Sequence, residues 1–178
     1  MVARLSSTEF CSDDFGLGGT SIFGANMIPR ILTALPVFNE QSHLANVLQT
    51  VRQFSSEILV VDDGSTDATP ELLRREQEIH VVTHNPNRGY GAALKSAFDF
   101  AIENNFDVLV TIDCDGQHEP RLIPELAARV FADQVHPADI VSGSRYLKHF
   151  DGDSRPPEER RRVNQLITEM INERLGLN

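Results

Sequence analysis

Five short apolar runs, each ending abruptly in polar or charged residues, constrain this 178-residue chain more than any other feature. They are Ile31–Val37, Ile58–Val61, Ile79–Thr83, Val108–Ile112 and Asp139–Ser142. Runs of this length, with little polar alternation, suit strands covered on both faces. Between them Leu44, Val47, Leu48, Val51 and Phe54 recur at helical spacing. So do Leu94, Ala97, Phe98, Ala101 and Ile102, and then Leu122, Leu126 and Val130. Thr69-Pro70 supplies an N-cap and a first-turn proline for one more helix. The order βαβαβαβαβ predicts an α/β domain: a mainly parallel sheet with helices on both faces and right-handed crossovers.

The length fits one domain with a sizeable apolar core. Residues 1–28 carry Gly16, Gly18, Gly19 and Gly24 among Ser and Asp without apolar periodicity, so they read as a flexible leader, with the domain spanning 29–178. A formal charge of −10 opposes general binding to nucleic acid or to an anionic membrane, because the long-range field repels both. Cys11 and Cys114 are the two cysteines, neither in a CxxC pair, which suits a reducing cytoplasm. No run approaches the roughly 20 apolar residues of a membrane span, and the first 27 residues lack the pattern of a signal peptide.

In open α/β sheets ligands bind where strands end at their carboxyl side. The first exit, Pro36-Val37-Phe38-Asn39-Glu40, has no G-x-G-x-x-G turn, and the chain holds no G-x-x-x-x-G-K-[ST], which removes a dinucleotide oxidoreductase and a P-loop NTPase. Pro36 and Asn39-Glu40 also fit the plain role of ending a strand and starting a helix. Asp62-Asp63-Gly64-Ser65-Thr66-Asp67 offers carboxylates to a base N–H or a ribose hydroxyl, and for Asp63 the ligand reading is favoured. Asp67 fits helix capping equally well.

Asn87-Arg88-Gly89-Tyr90-Gly91 opens the helix that carries Lys95, and its glycines permit close backbone approach to an anion. An ordinary turn explains the same residues. At the fourth exit Asp113 and Asp115 share a face in a regular strand, with Cys114 opposite and Gly116 turning the chain. Two hard oxygen donors beside Gln117 suit Mg²⁺ or Mn²⁺, which keeps waters and takes substrate phosphates to complete its shell. An EF-hand does not fit, since its glycine belongs at loop position 6 and Gly116 is fourth from Asp113. Gly143-Ser144-Arg145 closes the fifth run, and Arg155 and Arg160-Arg161-Arg162 follow. These arginines suit phosphate clamps or a solvated helix face. His43, His84 and His118 show no zinc spacing, and Cys114 has no base beside it in sequence, so none is given chemistry.

Taken together and in order, Pro36-Val37-Phe38-Asn39-Glu40, Val61-Asp62-Asp63-Gly64-Ser65-Thr66-Asp67, Asp113-Cys114-Asp115 and Gly143-Ser144-Arg145-Tyr146 resemble the family 2 glycosyltransferases of GT-A fold, especially the dolichol-phosphate mannosyltransferase-like branch. The likeness covers about 29–178, and the ordered set is specific although each piece alone is not. It implies a Rossmann-like GT-A sheet and a nucleotide-sugar site in which Pro36, Phe38, Glu40 and Asp63 hold base and ribose. Gly64, Arg88, Gly89, Lys95 and Asp113 belong to the same candidate donor site. By the same likeness Asp113, Asp115 and Gln117 meet Mg²⁺ or Mn²⁺, Arg145 contacts phosphate, and Asp115 and Arg145 are the catalytic candidates.

The implied reaction is inverting transfer of a sugar from a GDP- or UDP-sugar to a polyprenyl phosphate, at the cytoplasmic face of a membrane. A lipid phosphate is already anionic and needs no strong base, whereas a hydroxyl acceptor needs a carboxylate to take its proton. No residue announces itself as that base. The rival readings are a soluble family 2 transferase with a saccharide or protein hydroxyl acceptor, and an inactive nucleotide-sugar-binding module. Members of the branch continue into a further acceptor segment, so the domain is expected to be C-terminally short. Val163, Leu166, Ile167, Met170, Ile171 and Leu175 form an apolar stripe on the last helix, for which self-association is the expectation.

Overall fold

The computed structural model describes residues 1–5, 29–116, 119–132, 138–143 and 158–175. In chain order the elements are β1 (Val2–Arg4), β2 (Ile31–Val37), α1 (Leu44–Val51), β3 (Ile58–Asp62), α2 (Thr69–Leu73), β4 (His80–Thr83), α3 (Tyr90–Glu103), β5 (Val108–Thr111), α4 (Ile123–Arg129), β6 (Ile140–Val141) and α5 (Glu158–Leu175). A single 3₁₀ turn, Pro120–Leu122, leads into α4. The chain divides into two compact units, Met1–Ser142 and Gly143–Asn178.

The first unit holds a six-stranded sheet in the order β4-β3-β2-β5-β1-β6. Strands β4, β3, β2 and β5 are parallel, and β1 runs antiparallel to both of its neighbours. Successive side chains of a strand point to opposite faces, and the two apolar clusters divide accordingly. Leu35, Val37, Ile58, Val60, Val108, Val110 and Ile112 join α1, Leu73 of α2, and α4 on one face. Leu32, Ala34, Leu59, Val61 and Leu109 join α3 on the other. The sheet is thus covered on both sides, as the continuous apolar runs require.

Helix α1 buries the expected Leu44, Val47, Leu48 and Val51, whereas Phe54 lies beyond it and is exposed. Helix α3 is turned relative to its expected stripe. It buries Ala93, Ala97 and Ala101 and leaves Ile102 exposed, because three small residues one turn apart let the helix lie close to Leu59 and Val61. A comparable shift in α4 buries Ile123, Ala127 and Val130.

The reading of residues 1–28 as a flexible leader is corrected at its start. Val2–Arg4 form a strand between β5 and β6, with Val2 paired to Val110 on one side and Val141 on the other. Val2 is 0% exposed and belongs to the first apolar cluster. The flanking backbone is also paired: Leu5 N donates to Asp107 O at 2.8 Å and Arg4 N to Asp139 O at 2.9 Å. Burial of Val2 and this double pairing recruit the segment, while residues 6–28 lie outside the described residues.

Docking by the Val2 side chain, and not by charge, has a measurable consequence. Val2→Asp should lower unfolding stability by about 3 kcal/mol or more, since it buries a carboxylate without a partner. Arg4→Ala should cost no more than about 1 kcal/mol, because the Asp139 partner of Arg4, at 3.6 Å, is largely in solvent. Denaturant titration of the two variants measures the difference.

Candidate functional site

The parallel register brings the strand exits level with one another. Val37 pairs with Asp62, Asp62 with Thr83, and Ala34 with Thr111. Extending the last register by three residues sets Cys114 beside Val37. A cleft of about 380 Å³ opens there, within the usual range for small-molecule sites. It gathers Pro36, Phe38, Glu40, Asp63, Gly89, Asp113 and Asp115 from the sequence-derived set. Asn87, Tyr90, Ala93 and Cys114 complete the walls together with Val37.

The β2 and β3 exits are laced by side chains acting on backbone amides. Asn39, at φ 58°, accepts from Thr66 N at 2.8 Å, and its own amide donates to Ser65 Oγ at 2.9 Å. Asp67 Oδ1 accepts from Thr69 N at 2.9 Å and Oδ2 from Gln41 N at 3.1 Å. The capping reading of Asp67 therefore holds. Thr69 is not the N-cap: it occupies the first turn of α2, and its Oγ1 accepts from Glu40 N at 3.0 Å. The Glu40 carbonyl receives the amides of His43 and Leu44 at the start of α1, and its carboxylate meets His43 Nδ1 at 3.0 Å. Glu40 thus serves the helix start while lining the cleft.

Asp63 is held from within the protein. Its Oδ1 accepts from Arg88 N at 3.0 Å and lies 2.6 Å from His84 Nδ1, while Oδ2 accepts from Gly89 N at 2.7 Å. Burial pushes the Asp63 carboxyl up, but the hydrogen bonds from His84, Arg88 and Gly89, with the His84 charge interaction, bring it below the ordinary carboxylate range. The anion gripped at the opening of α3 is accordingly the protein's own Asp63, and the Arg88 and Gly89 amides are engaged by it. Gly64 is not on the cleft wall. At φ 76° its missing side chain lets β3 press on the β4 exit: a Cβ there would lie 2.7 Å from Asn87 N.

Two donor-site expectations are corrected by position. The Arg88 side chain is exposed and only its amide faces Asp63. Lys95 lies on the solvent side of α3 and pairs with Asp99, because Ala93 and Ala97 set the helix phase. Gln117, Arg145 and Arg155 lie outside the described residues, as do the side chains of Arg160 and Arg161. Arg162 of α5 is exposed.

At the β5 exit the strand alternation persists beyond Thr111. Cys114 joins Ile112 in the first apolar cluster, and Asp113 faces the start of α3, where Tyr90 Oη donates to its Oδ1 at 3.0 Å. Burial, then the hydrogen bond to Asp113 and its charge, push the Tyr90 hydroxyl up to about 12, so it stays a donor. Burial with the charges of Glu40 and Asp115 pushes the Cys114 thiol up to about 12 as well, which keeps it protonated and unreactive. Among the described residues no group of three or more His, Cys, Asp or Glu side chains is placed to hold a metal ion. Asp113 and Asp115 offer two hard oxygen donors, which fits an ion completed by substrate phosphates and water.

Sequence reasoning missed His84, Ser96 and Tyr90. His84 follows β4 directly, so its place at a strand exit was a signal; Tyr90 stands at the start of the helix facing Asp113. Nothing in the sequence marks Ser96.

An α/β sheet with carboxylates converging on its strand exits is the arrangement expected of a nucleotide-sugar enzyme. The chain belongs to glycosyl transferase family 2, whose model matches residues 33–177. It is 35% identical over 122 residues to the undecaprenyl-phosphate mannosyltransferase of Micrococcus luteus, covering 65% of this chain and 48% of that protein. It is equally 35% identical over 125 residues to the polyprenol monophosphomannose synthase of Mycolicibacterium smegmatis, covering 66% and 46%. An undecaprenyl-phosphate 4-deoxy-4-formamido-L-arabinose transferase of Salmonella paratyphi B is 34% identical over 119 residues, covering 61% and 36%. The chain spans about half the length, or less, of these curated relatives.

Gly64→Ala tests the packing of the β3 and β4 exits. The added Cβ meets backbone at 2.7 Å, and φ 76° disfavours any side chain, so a loss of about 1–3 kcal/mol is expected. Thermal unfolding of the variant checks it, and an unchanged midpoint would show that the two exits move apart freely.

Proposed function

We propose that this chain carries the nucleotide-sugar site of a glycosyltransferase that moves a sugar, from GDP-mannose or a UDP-sugar, to a polyprenyl phosphate. The observation that supports it most directly is the meeting of Asp63 with Asp113 and Asp115 in one cleft beside Pro36, Phe38 and Glu40. The donor half of the reading assigns the base and ribose to the Asp63 side, against the 47% exposed ring of Phe38. Asp113 and Asp115 take the diphosphate side. The names of the relatives support the acceptor half, since those proteins are described as acting with undecaprenyl phosphate or polyprenol.

In the proposed reaction an acceptor phosphate oxygen attacks the anomeric carbon, a new C–O bond forms, and the bond to the diphosphate breaks with inversion. Mg²⁺ or Mn²⁺, when bound, neutralises charge developing on the leaving diphosphate. Asp113 and Asp115 are the residues that would hold it, with Tyr90 fixing the orientation of Asp113 through its hydroxyl. Gln117 and Arg145 are proposed to complete the metal and phosphate contacts. Among the described residues no helix is long and apolar enough to cross a membrane. Action at the cytoplasmic membrane surface is part of the proposal.

Calorimetric titration with GDP, UDP and their sugars, with and without Mn²⁺, tests the donor half. Asp115→Asn should weaken Mn²⁺-dependent nucleotide binding by at least about tenfold while the fold is kept. Unchanged metal dependence in that variant removes the metal assignment, and binding without transfer to a polyprenyl phosphate removes the enzymatic one.

Self-association is proposed through α5. Val163, Leu166, Ile167 and Met170 are each about half exposed or more, an apolar stripe that a soluble helix rarely leaves bare. Light scattering over a dilution series should show a dimer or larger species, and Leu166→Glu with Met170→Glu should shift it to monomer. A wild type that stays monomeric at every concentration removes this element and leaves the glycosyltransferase reading untouched.

A further inference from the structure

His84 and Asp63 are 5% and 4% exposed, and the two side chains meet inside the fold. On the other side of the imidazole, Nε2 lies 2.8 Å from Ser96 Oγ of α3. Asp63 is ionised, so its oxygens only accept, and the 2.6 Å contact places the proton on His84 Nδ1. In the neutral ring Nε2 then accepts the Ser96 hydroxyl proton. The row Asp63, His84, Ser96 ties the exits of β3 and β4 to the body of α3.

The row has the residue types of a hydrolytic triad but not its setting. Ser96 sits inside a 14-residue helix and does not line the cleft, and its neighbouring amides belong to the helix, so no free donors stand ready for an oxyanion. Its use lies at the other end. A carboxylate offers about four acceptor directions. His84 and Arg88 occupy those of Oδ1, and Gly89 occupies one of Oδ2. One direction on Oδ2 is left for the cleft that Asp63 lines.

We infer that His84, backed by Ser96, is a positioning residue for the donor nucleotide: it fixes the Asp63 carboxylate so that Oδ2 keeps one acceptor direction for a base or ribose donor. This rests on the nucleotide reading of the cleft. The inference also assigns the helix opening a task, since the Arg88 and Gly89 amides and the His84 imidazole grip one carboxylate from separate elements. Removing the imidazole leaves Oδ1 with a single donor, frees the side chain to turn, and loosens the Arg88-Gly89 backbone.

Calorimetry with GDP and UDP, paired with amide hydrogen exchange at Arg88 and Gly89, tests it. His84→Leu should weaken whichever nucleotide binds better by about tenfold and speed exchange at both amides. His84→Asn sets an amide nitrogen near the place of Nδ1 and should stay within about threefold of the wild type, whereas His84→Gln, whose amide mimics Nε2, should behave like the Leu variant. In an Asp63→Asn background the Leu change should add nothing further, because both act through one carboxylate. A folded Leu variant with wild-type affinity and exchange overturns the inference, as does an additive double variant. If the Leu variant does not fold, the Asn and Gln variants decide: equal affinities and exchange overturn it, and a loss confined to Gln supports it. A wild type that binds neither nucleotide would sink the donor reading itself, and exchange at Arg88 and Gly89 would then decide whether His84 positions Asp63.

Discussion

A sheet covered on both faces has nowhere to put a charge except at the ends of its strands. Leu32, Leu35, Leu59, Val60, Leu109 and their neighbours leave no polar position along the interior strands other than Thr33, and Thr33 is satisfied by Ser55. Carboxylates are therefore pushed to the exits, and the parallel arrangement puts those exits on one side. The concentration of Asp63, Asp113 and Asp115 in a single cleft is a result of the burial pattern as much as of chemistry.

Once at the exits, these groups need fixed directions, and the fold supplies them by cross-linking loops that come from different strands. Asn39 and Asp67 bind the β2 exit to the β3 exit through backbone amides. Asp63 binds the β3 exit to the β4 exit and to the opening of α3. Tyr90 carries the connection on to the β5 exit by way of Asp113. The chain of contacts is continuous from Asn39 to Asp113, so the carboxylates are held by side-chain and amide donors more than by the strands that deliver them.

Much of this was legible in the residues. Continuous apolar runs gave the five later strands within a residue or two, and the D-x-D and P-x-F-N-E pieces placed most of the cleft. What was hidden had physical reasons. Three residues, Val2-Ala3-Arg4, are too few to show a period, so a strand passed for part of a glycine-containing leader. Lys95 was assigned to the site because it follows two glycines, but the buried face of α3 is set by Ala93, Ala97 and Ala101, and small residues carry a weak hydrophobic signal. His84 could not be weighed without knowing that β4 lies beside β3, since its partner Asp63 is 21 residues away. The capping of α2 was read one residue pair too late, because Thr69 gives its hydroxyl to another loop.

The placement of β1 also has a temporal side. Met1 and Thr111, bonded across the sheet, are 110 positions apart. A ribosome makes Val2–Arg4 long before β5 and β6 exist, so the segment must wait in solution while the four parallel strands assemble without it. During that interval the β5 edge, with Val108, Leu109 and Val110, stands open, and such an edge accepts strands from other molecules as readily as its own. Closing so long a separation is slow compared with pairing neighbours in sequence. The three-residue strand is thus also a guard, and the vulnerable period of this protein is the delay between completing β5 and the return of its earliest residues.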